Sequence, residues 1–585
     1  MIIRIDFEGK SRLFQNPSQT FICYDLSSIE GTINEISDLV KQGFYAVGYL
    51  AYETAPAFNH YYVTKDYSLN TLPLLVFGIY HDYTNVNKLS DDCVFPTISL
   101  DCNTSQTEYQ QNILNIKHYI ENGTTYQTNY TLQFKGEFNS DPYRYYQYLQ
   151  QNNQANYCAY IQFDNSHILS ISPELFFKIH NDTIITKPMK GTTARGINLA
   201  DDQLKKQTLF SEKNQAENMM IVDLLRNDLS QISVTGTVTV SELFKAEKYP
   251  TVWQLTSTIQ SRLKPNTTLF NILKALFPCG SITGAPKAST MQIIADIEKQ
   301  PREVYCGTIG YIEPNFHKAI FNIPIRTLTI NQQQAHYGVG GGITWDSTTS
   351  GEYQEILQKM ALLTNPIAKP QYLFESMLYH DEQIFLLDEH LARLSQSAEY
   401  FNFQCNVDEI RANLNQIKNL IPHLSYKIRL CLMADSQFTT EAVPLNDMFD
   451  ITDISLSMQC INNQNPLVYH KTSNRSHLPN VTFGQEVILF NQHRELTEFV
   501  NGNLVLLING CWLTPKLTSG LLAGVMREYY LKQNQIKEAR LMIDDILKAE
   551  KMAFINSVRK WITINPEVLK KIKNNIIKNQ MVNLI

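Results

Sequence analysis

The chain has 585 residues, of which 43% are hydrophobic and 18% are charged, and its formal net charge at pH 7 is −6. This length exceeds what one hydrophobic core usually supports, and the composition excludes a mainly disordered chain. Because no long run of one charge sign and no stretch of about 18 apolar residues occurs, neither nucleic acid nor a membrane is an expected partner.

The first hundred residues contain short strand patterns, IIRIDF, FYAVGYLAYE and LPLLVFGIY. A helix pattern, TEYQQNILNIKHYIENG, opens a second block. Strands near 157–186 and the run QAHYGVGGGITW follow without a regular βαβ rhythm, which favours an α+β fold with large, mostly antiparallel sheets. The segment 364–371, TNPIAKPQ, follows a long amphipathic helix pattern and contains two prolines. We predict a domain boundary in this segment and call it the seam. We therefore predict a β-rich region over 1–100, a catalytic region over 101–366 and a separate domain over 371–585.

Lys190 and Glu174 form the first candidate pair. Residues 187–195 read KPMKGTTAR, so Lys190 ends a strand pattern and precedes a glycine that lets another group approach the backbone. Glu174, in ISPELFF, lies between a proline turn and an apolar strand, where burial would raise its pKa to that of a useful general acid. Taken alone, either residue would be interpreted as an exposed one.

Acidic residues on two predicted helices indicate a divalent cation. Glu217 in AENMMIVDLLRNDL and Glu352 in GEYQEILQKMALL lie on the apolar stripes of their helices, and Glu355 and Lys359 follow one and two turns after Glu352. A solvated Glu355–Lys359 pair would contribute about half a kcal/mol or less. Carboxylates on buried stripes are better explained by a hard cation such as Mg²⁺.

A glycine run and an arginine indicate an anionic ligand. The run YGVGGGITW has Ile343 where a dinucleotide-binding GxGxxG motif needs its third glycine, so it does not match that motif. Consecutive glycines with free N–H groups, together with an arginine in FNIPIRTL that can form a bidentate fork, suit the carboxylate of a small molecule.

From about residue 100 to 365 the chain resembles the chorismate-utilising enzymes, in particular aminodeoxychorismate synthase component I and anthranilate synthase component I. The strings SPE, KGT, ENxMIVDLLRNDL, GSITGAPK, YCGTIGY, IRTL, GVGGGIT and the GE-x-x-E helix occur in order. The resemblance implies a large antiparallel β-sheet sandwich flanked by helices. It makes Glu217, Glu352 and Glu355 the Mg²⁺ ligands and Glu174 the acid near a departing hydroxyl. It assigns substrate binding to Gln127, Thr283, Tyr305, Arg326, Gly340, Gly341, Gly342 and Lys359.

Lys190 distinguishes the two relatives. Anthranilate synthases usually carry alanine at this position, whereas aminodeoxychorismate synthases carry a lysine that is thought to act as a covalent nucleophile. In that mechanism the amine attacks C2 of chorismate as the C4 hydroxyl leaves, and ammonia then enters at C4. The pKa of Lys190 must fall from about 10.4 for this role. One departure is Gln254, which stands where many relatives have a histidine.

A second set of residues follows the seam. Arg393 lies in the helix DEHLARLSQS, Lys471 follows the strand-like LVYH, and Glu498 lies at a strand end in TEFVNG. GLLAGVMR opens a helix and Ser557 lies at a turn in INSVRKW. A lysine for a Schiff base, a carboxylate for a pyridinium nitrogen and several phosphate-binding groups together indicate pyridoxal phosphate (PLP).

Residues 371–585 accordingly resemble the fold-type IV PLP enzymes, a two-subdomain α+β family that includes aminodeoxychorismate lyase and several transaminases. The resemblance implies that Lys471 binds the cofactor, that Glu498 keeps its ring nitrogen protonated, and that Arg393, Ser557, Val525 and Met526 hold its phosphate. Relatives of this fold type commonly form homodimers. Departures from the family pattern are GNLVL around Asn503 and Lys560, which replaces a common glycine.

The whole chain resembles fused synthase–lyase proteins of bacterial folate synthesis. The resemblance implies amination of chorismate to 4-amino-4-deoxychorismate, followed by elimination of pyruvate to give 4-aminobenzoate. No glutaminase motif is visible, so ammonia is expected from a separate glutamine amidotransferase subunit. Ten scattered cysteines without a CxxC pair, and an N-terminus that lacks the pattern of a signal peptide, predict a cytoplasmic protein with reduced thiols.

Two alternatives remain open at this point. The first is an anthranilate synthase component fused to an aminotransferase, against which Lys190 argues. The second is an inactive regulator that binds chorismate or an aromatic amino acid. The cost of keeping buried charges that would serve no chemistry argues against the regulator.

Overall fold

The computed structural model describes residues 1–66, 72–86, 98–153, 155–249, 252–364, 370–417, 424–445 and 450–582. The chain divides into two compact units. The first comprises Met1–Arg195 and Lys205–Ile367, and the second comprises Gly196–Leu204 and Ala368–Ile585. Residues 365–369 of the predicted seam lie outside the described residues.

The strands that precede residue 365 are, in chain order, β1 (Ile2–Phe7), β2 (Lys10–Gln15), β3 (Gln19–Cys23), β4 (Tyr45–Leu50), β5 (Leu75–Tyr80), β6 (Thr84–Asn85), β7 (Asp101–Cys102), β8 (Gln127–Glu137), β9 (Tyr157–Phe163), β10 (Ser166–Ser172), β11 (Leu175–His180), β12 (Thr183–Lys187), β13 (Met189–Ala194), β14 (Thr239–Lys248), β15 (Val252–Arg262), β16 (Gly284–Ala285), β17 (Thr308–Ile312), β18 (Lys318–Asn322), β19 (Thr327–Asn331) and β20 (Gln334–Ile343). The α-helices of the same part are α1 (Ile29–Lys41), α2 (Ala55–Phe58), α3 (Gln106–Glu121), α4 (Pro142–Asn153), α5 (Leu199–Thr208), α6 (Glu212–Ile232), α7 (Leu269–Leu276), α8 (Lys287–Ile297) and α9 (Thr349–Thr364).

Two antiparallel sheets build the first unit. Within the described residues, the first sheet has the order β16-β8-β20-β19-β10-β9-β1-β2-β6, with β7 on β8. The second has the order β13-β15-β12-β11-β18-β17-β4-β5-β3, with β14 on β15. Ile5 of β1 and Ile168 of β10 share one apolar cluster with Val47 of β4 and Ile320 of β18. The two sheets therefore pack face to face as a sandwich.

Helices cover the two outer faces of this sandwich. Because side chains alternate along a strand, Leu169 points away from Ile168 and packs in a cluster with residues of α3, α4 and α9. Phe321 likewise packs with residues of α1, α6 and α7 on the other sheet. The predicted α+β fold, an antiparallel sandwich flanked by helices, is confirmed.

The second unit contains the strands β21 (Tyr372–His380), β22 (Gln383–Ile384), β23 (Tyr426–Met433), β24 (Phe438–Pro444), β25 (Asp453–Leu456), β26 (Gln485–Phe490), β27 (Leu496–Phe499), β28 (Asn503–Ile508), β29 (Cys511–Pro515), β30 (Lys537–Ala539), β31 (Lys551–Asn556) and β32 (Lys560–Thr563). Its helices are α10 (Leu387–Phe401), α11 (Val407–Ile417), α12 (Val525–Lys532), α13 (Asp545–Lys548) and α14 (Pro566–Val582).

This unit has two layered parts, as the sequence predicted. A sheet of β21 to β24 packs against α10 and α11, where Met377, Leu394 and Ile428 share a core. A sheet of β25 to β32 packs against α13 and α14, where Leu504, Ile546 and Ile572 share a second core.

One local prediction in this unit is wrong. The segment LVYH before Lys471 was expected to be a strand, but Pro466–Tyr469 is a single 3₁₀ turn. The Asn465 side chain accepts a hydrogen bond from the backbone N–H of Leu467 at 3.0 Å. A capping asparagine followed by a proline is a helix-start signal, which here outweighs the β-propensity of the apolar residues.

In the part of the chain that the structure describes, no helix combines the length and the apolar character needed to cross a bilayer.

Candidate active sites

Lys190 lies at a break in the pairing register of strand β13. Met189 pairs with Thr256 and Thr192 pairs with Gln254, so the register shifts across Lys190 and Gly191. Gly191 has φ +85°, a left-handed conformation that glycine adopts without strain. Lys190 is partly buried, and its Nζ donates a hydrogen bond to the carbonyl of Ser281 at 3.0 Å. Burial lowers the pKa of Lys190, although Glu217 and Glu174 oppose this change.

The Glu174 side chain also contacts Ser281. The Ser281 hydroxyl donates a hydrogen bond to Glu174 Oε1 at 2.8 Å, while the Ser281 carbonyl accepts the one from Lys190. Glu174 is buried, and this burial raises its pKa to about 7. The structure therefore brings together the two predicted catalytic residues of this unit. The sequence analysis did not single out Ser281, although it lies inside the quoted motif GSITGAPK.

Glycines at the end of β20 leave room for the other side chains. A Cβ placed on Gly342 would lie 2.4 Å from Gln127 Nε2 and 3.3 Å from Lys190 Nζ. Gln127 is fully buried, and among the described residues neither of its amide atoms has a hydrogen-bond partner. An unpaired buried amide is costly unless a ligand satisfies it. Gln127, Lys190 and Gly342 therefore form a candidate binding site for a polar ligand.

We expect the substitution Gly342→Ala to lower the activity of this site by about 10²-fold, because the new methyl group would displace Gln127 and Lys190. The rate of consumption of chorismate, the substrate that the resemblance implies, measures the effect. Gly31→Ala on α1 is the matched control, since a Cβ there meets nothing within 4 Å. Equal rates for the two variants would contradict the position of Gly342 in the site.

The predicted metal ligands surround the neighbouring glycine. A Cβ on Gly341 would lie 3.1 Å from Glu352 Oε2 and 3.8 Å from Glu355 Oε1. Ser347 donates a hydrogen bond to Glu352 at 2.7 Å, and Lys359 pairs with Glu355 at 2.7 Å. Lys359 also donates to the carbonyl of Gly340 at 2.7 Å.

The environments of the three glutamates differ. Burial raises the pKa of Glu352 and of Glu217, which lies on α6. Burial would also raise the pKa of Glu355, but Lys359 holds it below its usual range. Glu355 is more exposed than the sequence suggested, with 47% of its side chain accessible, because it lies on the outer edge of the α9 stripe.

The three carboxylates suit Mg²⁺ in their chemistry, since they are hard oxygen donors. As they are arranged here, however, no three His, Cys, Asp or Glu side chains within the described ranges are close enough to hold an ion. The role of Glu217, Glu352 and Glu355 as its ligands stays a prediction.

The remaining predicted substrate-binding residues differ in their surroundings. Burial lowers the pKa of Arg326, and within the described residues its guanidinium has no hydrogen bond or ion pair. Tyr305 packs its ring on Gly338, and a small cavity of about 30 Å³ borders it. The Thr283 hydroxyl donates to the Cys279 carbonyl at 3.0 Å. Arg326 is thus available for a carboxylate, whereas Thr283 stabilises its own loop.

Gln254 is buried and accepts a hydrogen bond from the Thr192 hydroxyl at 3.0 Å. Thr192 follows the register shift that presents Lys190. Gln254 therefore supports the backbone next to the lysine.

The second unit contains a cavity of about 560 Å³. Its lining includes all the residues that the sequence assigned to PLP, namely Arg393, Lys471, Glu498, Val525, Met526 and Ser557. Burial, with help from Arg393, lowers the pKa of Lys471 to about 8. Burial raises the pKa of Glu498 to about 8. A lysine that readily becomes neutral and a carboxyl that holds a proton near neutral pH suit a cofactor with an aldehyde and a pyridine nitrogen.

The other end of the cavity suits a phosphate. Helix α12 begins at Val525 after Gly524, which provides no side-chain cap. Its first N–H groups can therefore bind an anion. Asn503, which the sequence analysis noted only as a departure, donates hydrogen bonds to Glu498 at 3.2 Å and to the Leu522 carbonyl at 3.0 Å. The residues present fit PLP.

Glu375 holds the predicted phosphate ligand Arg393. The Arg393 Nε and Nη2 atoms donate to Glu375 at 2.9 and 2.6 Å, and Nη1 donates to the Ala523 carbonyl at 3.0 Å. His390 Nδ1 lies 2.8 Å from the same carboxylate. Burial would raise the pKa of Glu375, but Arg393 and His390 hold it at about 2. Two of the five guanidinium N–H groups remain for a ligand.

We expect Glu375→Gln to lower the free energy of unfolding by about 3 kcal/mol, because a partly buried arginine loses its counter-charge. PLP affinity should fall by at least about tenfold. In the wild type, this part of the stability is present above the unfolded pKa of Glu375 and is lost as pH falls towards 2. Urea unfolding and PLP titration measure both effects. Exposed Glu389→Gln on α10 is the control, and equal behaviour of the two variants would contradict the role of Glu375.

Comparison with known proteins follows the division into two units. The family model for chorismate binding enzymes matches residues 89–365, and the model for class IV amino-transferases matches residues 372–565. Aminodeoxychorismate synthase component 1 of Salmonella typhimurium is 39% identical over 267 residues, which cover 45% of this chain and 58% of that protein. The chain thus spans little more than half of that relative.

Two further similarities extend the comparison. Aminodeoxychorismate synthase component 1 of Klebsiella aerogenes is 36% identical over 343 residues, which cover 54% of this chain and 75% of that protein. Anthranilate synthase component I of Streptococcus pneumoniae TIGR4 shares the fold, with a TM-score of 0.52 and 24% identity over 62% of this chain and 90% of that chain. The chain therefore belongs to the chorismate-binding enzymes of the aminodeoxychorismate and anthranilate synthase component 1 type, with a class IV aminotransferase domain following in the same polypeptide.

Proposed function

We propose that the first unit aminates chorismate at C4 to give 4-amino-4-deoxychorismate. The second unit then converts this product to pyruvate and 4-aminobenzoate, the aromatic precursor used in folate synthesis. The observation that carries the proposal is the meeting of Lys190 and Glu174 at Ser281, beside the unpaired Gln127 amide. A nucleophilic amine and a protonated acid that contact the same serine are the groups that such a substitution needs.

In the first reaction the neutral Lys190 amine forms a bond to C2 of chorismate. The ring double bonds shift, the C4–O bond breaks, and Glu174 gives its proton to the departing hydroxyl, which leaves as water. Ammonia then attacks C4, the double bonds shift back and the bond between C2 and Lys190 breaks. Arg326 and the backbone of the glycine run would hold the substrate carboxylates. Glu217, Glu352 and Glu355 would hold Mg²⁺, which when bound supplies positive charge to a carboxylate.

Ammonia would come from a separate glutamine amidotransferase subunit. The similarity to proteins named component 1 supports this partner.

In the second reaction Lys471 Nζ removes the proton from C4 of aminodeoxychorismate. PLP, when bound, supplies the electron sink that makes this proton acidic. Arg393 and the start of α12 would hold the phosphate, and Glu498 would bind the ring nitrogen. The C3–O bond then breaks, the ring becomes aromatic, and the enolpyruvate that leaves takes up a proton to become pyruvate. Homodimer formation through this domain is part of the proposal, by analogy with fold-type IV relatives.

The purified chain, incubated with chorismate, Mg²⁺, PLP and ammonium, tests the proposal without a glutaminase. We expect 4-aminobenzoate and pyruvate, identified by chromatography against standards. Anthranilate as the product would overturn the assignment of the first unit. Accumulation of aminodeoxychorismate would overturn the assignment of the second unit and favour a transaminase.

We expect the amination rate, measured at constant free ammonia, to pass through a maximum and fall at high pH, because Glu174 must carry a proton, and burial raises its pKa only to about 7. At lower pH the rate should fall as Lys190 becomes charged. Glu174→Gln should lose about 10²-fold in rate and lack the fall at high pH. Exposed Glu212→Gln is the control, and a fall that persists in Glu174→Gln would assign it to another group.

A further inference from the structure

Arg302 forms a buried ion pair in the first unit that the proposed reaction does not use. Its guanidinium lies 2.7 Å from the carboxylate of Glu298, which caps the end of α8, and the two side chains are 2% and 5% accessible. Taking two charges out of water is costly, and such a pair often stabilises a protein no better than apolar side chains would. The pair is better explained by what its other hydrogen bonds hold in place.

The Arg302 guanidinium joins two segments of backbone. Its Nη1 donates a hydrogen bond to the carbonyl of Ile282 at 2.8 Å, and its Nη2 donates one to the carbonyl of Asn129 at 2.7 Å. Ile282 directly follows Ser281, and Asn129 lies two residues after Gln127 at the start of β8. Because the guanidinium is planar and rigid, it fixes the spacing between the loop of Ser281 and the strand of Gln127.

This spacing determines where the predicted catalytic side chains lie. The Ser281 carbonyl accepts a hydrogen bond from Lys190 at 3.0 Å, and the Ser281 hydroxyl donates one to Glu174 at 2.8 Å. On the β8 side, a Cβ on Gly342 would lie 2.4 Å from Gln127 Nε2 and 3.3 Å from Lys190 Nζ. A shift of the loop by about 1 Å would misplace the amine and the acid together, and such a shift can lower a rate by about 10²-fold.

Further hydrogen bonds orient the ion pair itself. Arg302 Nε and Nη2 donate to the two carboxylate oxygens of Glu298 at 2.9 and 2.7 Å, which is the bidentate geometry with a defined direction. Glu298 also accepts from the backbone N–H and the hydroxyl of Thr131 on β8 at 2.9 and 2.8 Å. Glu53 accepts from the backbone N–H groups of Arg302 and Glu303 at 2.7 and 2.9 Å. The guanidinium is therefore held in the orientation that reaches both carbonyls.

We propose that Arg302, oriented by Glu298, is a positioning residue for the reaction of the first unit. It sets the distance between the Ser281 loop and strand β8, and thereby holds Lys190 and Glu174 in the geometry for reaction. This inference rests on the proposed function, because Lys190 and Glu174 are the reacting groups of the proposed amination. An ion pair that served only folding would leave the kinetics of the folded protein unchanged.

Steady-state kinetics of the full chain with chorismate, Mg²⁺ and ammonium test the role of Arg302. Arg302→Lys keeps the charge opposite Glu298, but a lysine is a single-point donor that cannot reach Glu298 and both carbonyls at once. We expect kcat to fall by at least about 10²-fold and KM to change by less than about threefold, because the substrate-binding groups remain. Arg4→Lys is the matched control, since Arg4 forms an equally buried pair with Asp6 on β1, and it should keep both constants.

The pH profile is a readout that a loss of stability would not move. Burial raises the pKa of Glu174, and the hydrogen bond from Ser281 opposes this rise. If the loop moves away, that pKa rises, and the fall in rate at high pH should begin at least about half a pH unit higher in Arg302→Lys. Ser281→Ala should shift it in the same direction. Lys190 and Lys359, the charged groups that lower this pKa, are unchanged in both variants. An unshifted profile in folded Arg302→Lys would contradict the positioning role.

Backbone hydrogen exchange, followed by mass spectrometry, tests the inference without any reaction. Peptides that cover 279–285 and 127–131 should exchange at least about tenfold faster in Arg302→Lys than in the wild type, and Arg4→Lys should leave them unchanged. Unchanged exchange, or a wild-type kcat, in Arg302→Lys would overturn the proposal. If exchange changes as expected but the wild type forms no aminodeoxychorismate, the positioning stands and the proposed reaction fails.

A milder variant replaces Arg302→Lys if that protein does not fold. Thr131→Val removes the hydroxyl that donates to Glu298 and keeps the ion pair itself. We expect its kcat to fall by at least about threefold with an unchanged KM. A wild-type kcat in Thr131→Val would then overturn the proposal.

Discussion

Replacing Lys471 by alanine should reduce formation of 4-aminobenzoate by at least about 10³-fold, while aminodeoxychorismate accumulates from chorismate and ammonium. Lys471 has a pKa lowered to about 8 and lies in the cavity with Arg393 and Glu498. Of the lysines that line this cavity in the described residues, the other is Lys427, which lies on β23 among the arginines. It is not placed to replace Lys471.

Chromatography of both products and the visible absorbance of lysine-bound PLP measure the effect of this substitution. The variant should lose the absorbance band and keep the rate of chorismate consumption, because Lys190 belongs to the other unit. Exposed Lys537→Ala on β30 is the control. If Lys471→Ala still forms 4-aminobenzoate within about tenfold of the wild type, another base carries the second reaction.

Most of the fold class could be predicted from local patterns. Alternating residues such as Ile168 and Leu169 belong to different apolar clusters on the two faces of one sheet, which is the signature of a strand covered on both sides. The order of strands could not be predicted in this way. Strand β4 pairs with β17, although more than 250 residues separate Gly48 from Gly310, and a periodicity within one strand contains no information about its partner.

The assignment of Gly196–Leu204 to the second unit also could not be predicted from the sequence. The Gly196 carbonyl accepts a hydrogen bond from the Tyr400 hydroxyl at 2.7 Å. Ile197 packs against a cluster that contains Ile461 and Val468. These contacts join residues distant in the chain, and nothing in the short segment itself predicts them.

The candidate sites show the same limit at the level of single residues. The quoted motifs led to Lys190, Glu174 and Lys471, and the structure places each of them in a pocket or beside its expected partner. Ser281 and Glu375 were missed, because each acts by holding another side chain. A serine inside a motif and a glutamate on a strand have no individual signal until the neighbours are known.

The substitution Lys190→Ala should lower formation of aminodeoxychorismate by about 10²- to 10⁴-fold. The amine donates to the Ser281 carbonyl at 3.0 Å, and Glu174 is held by the hydroxyl of the same serine. Removing the amine leaves the acid and the substrate-binding groups in place. The variant should therefore still bind chorismate, and any residual product should be one that needs no attack by lysine, such as a product substituted at C2.

Chromatography of the chorismate products, with mass spectrometry of the intact wild-type protein during turnover, measures both parts of this prediction. A mass increase on the wild-type chain that is absent from Lys190→Ala would support the covalent step. Lys187→Ala is the matched control, since Lys187 lies three residues earlier and pairs with Glu247. Normal rates of aminodeoxychorismate formation in Lys190→Ala would show that ammonia attacks chorismate directly, and Lys190 would then be a binding residue.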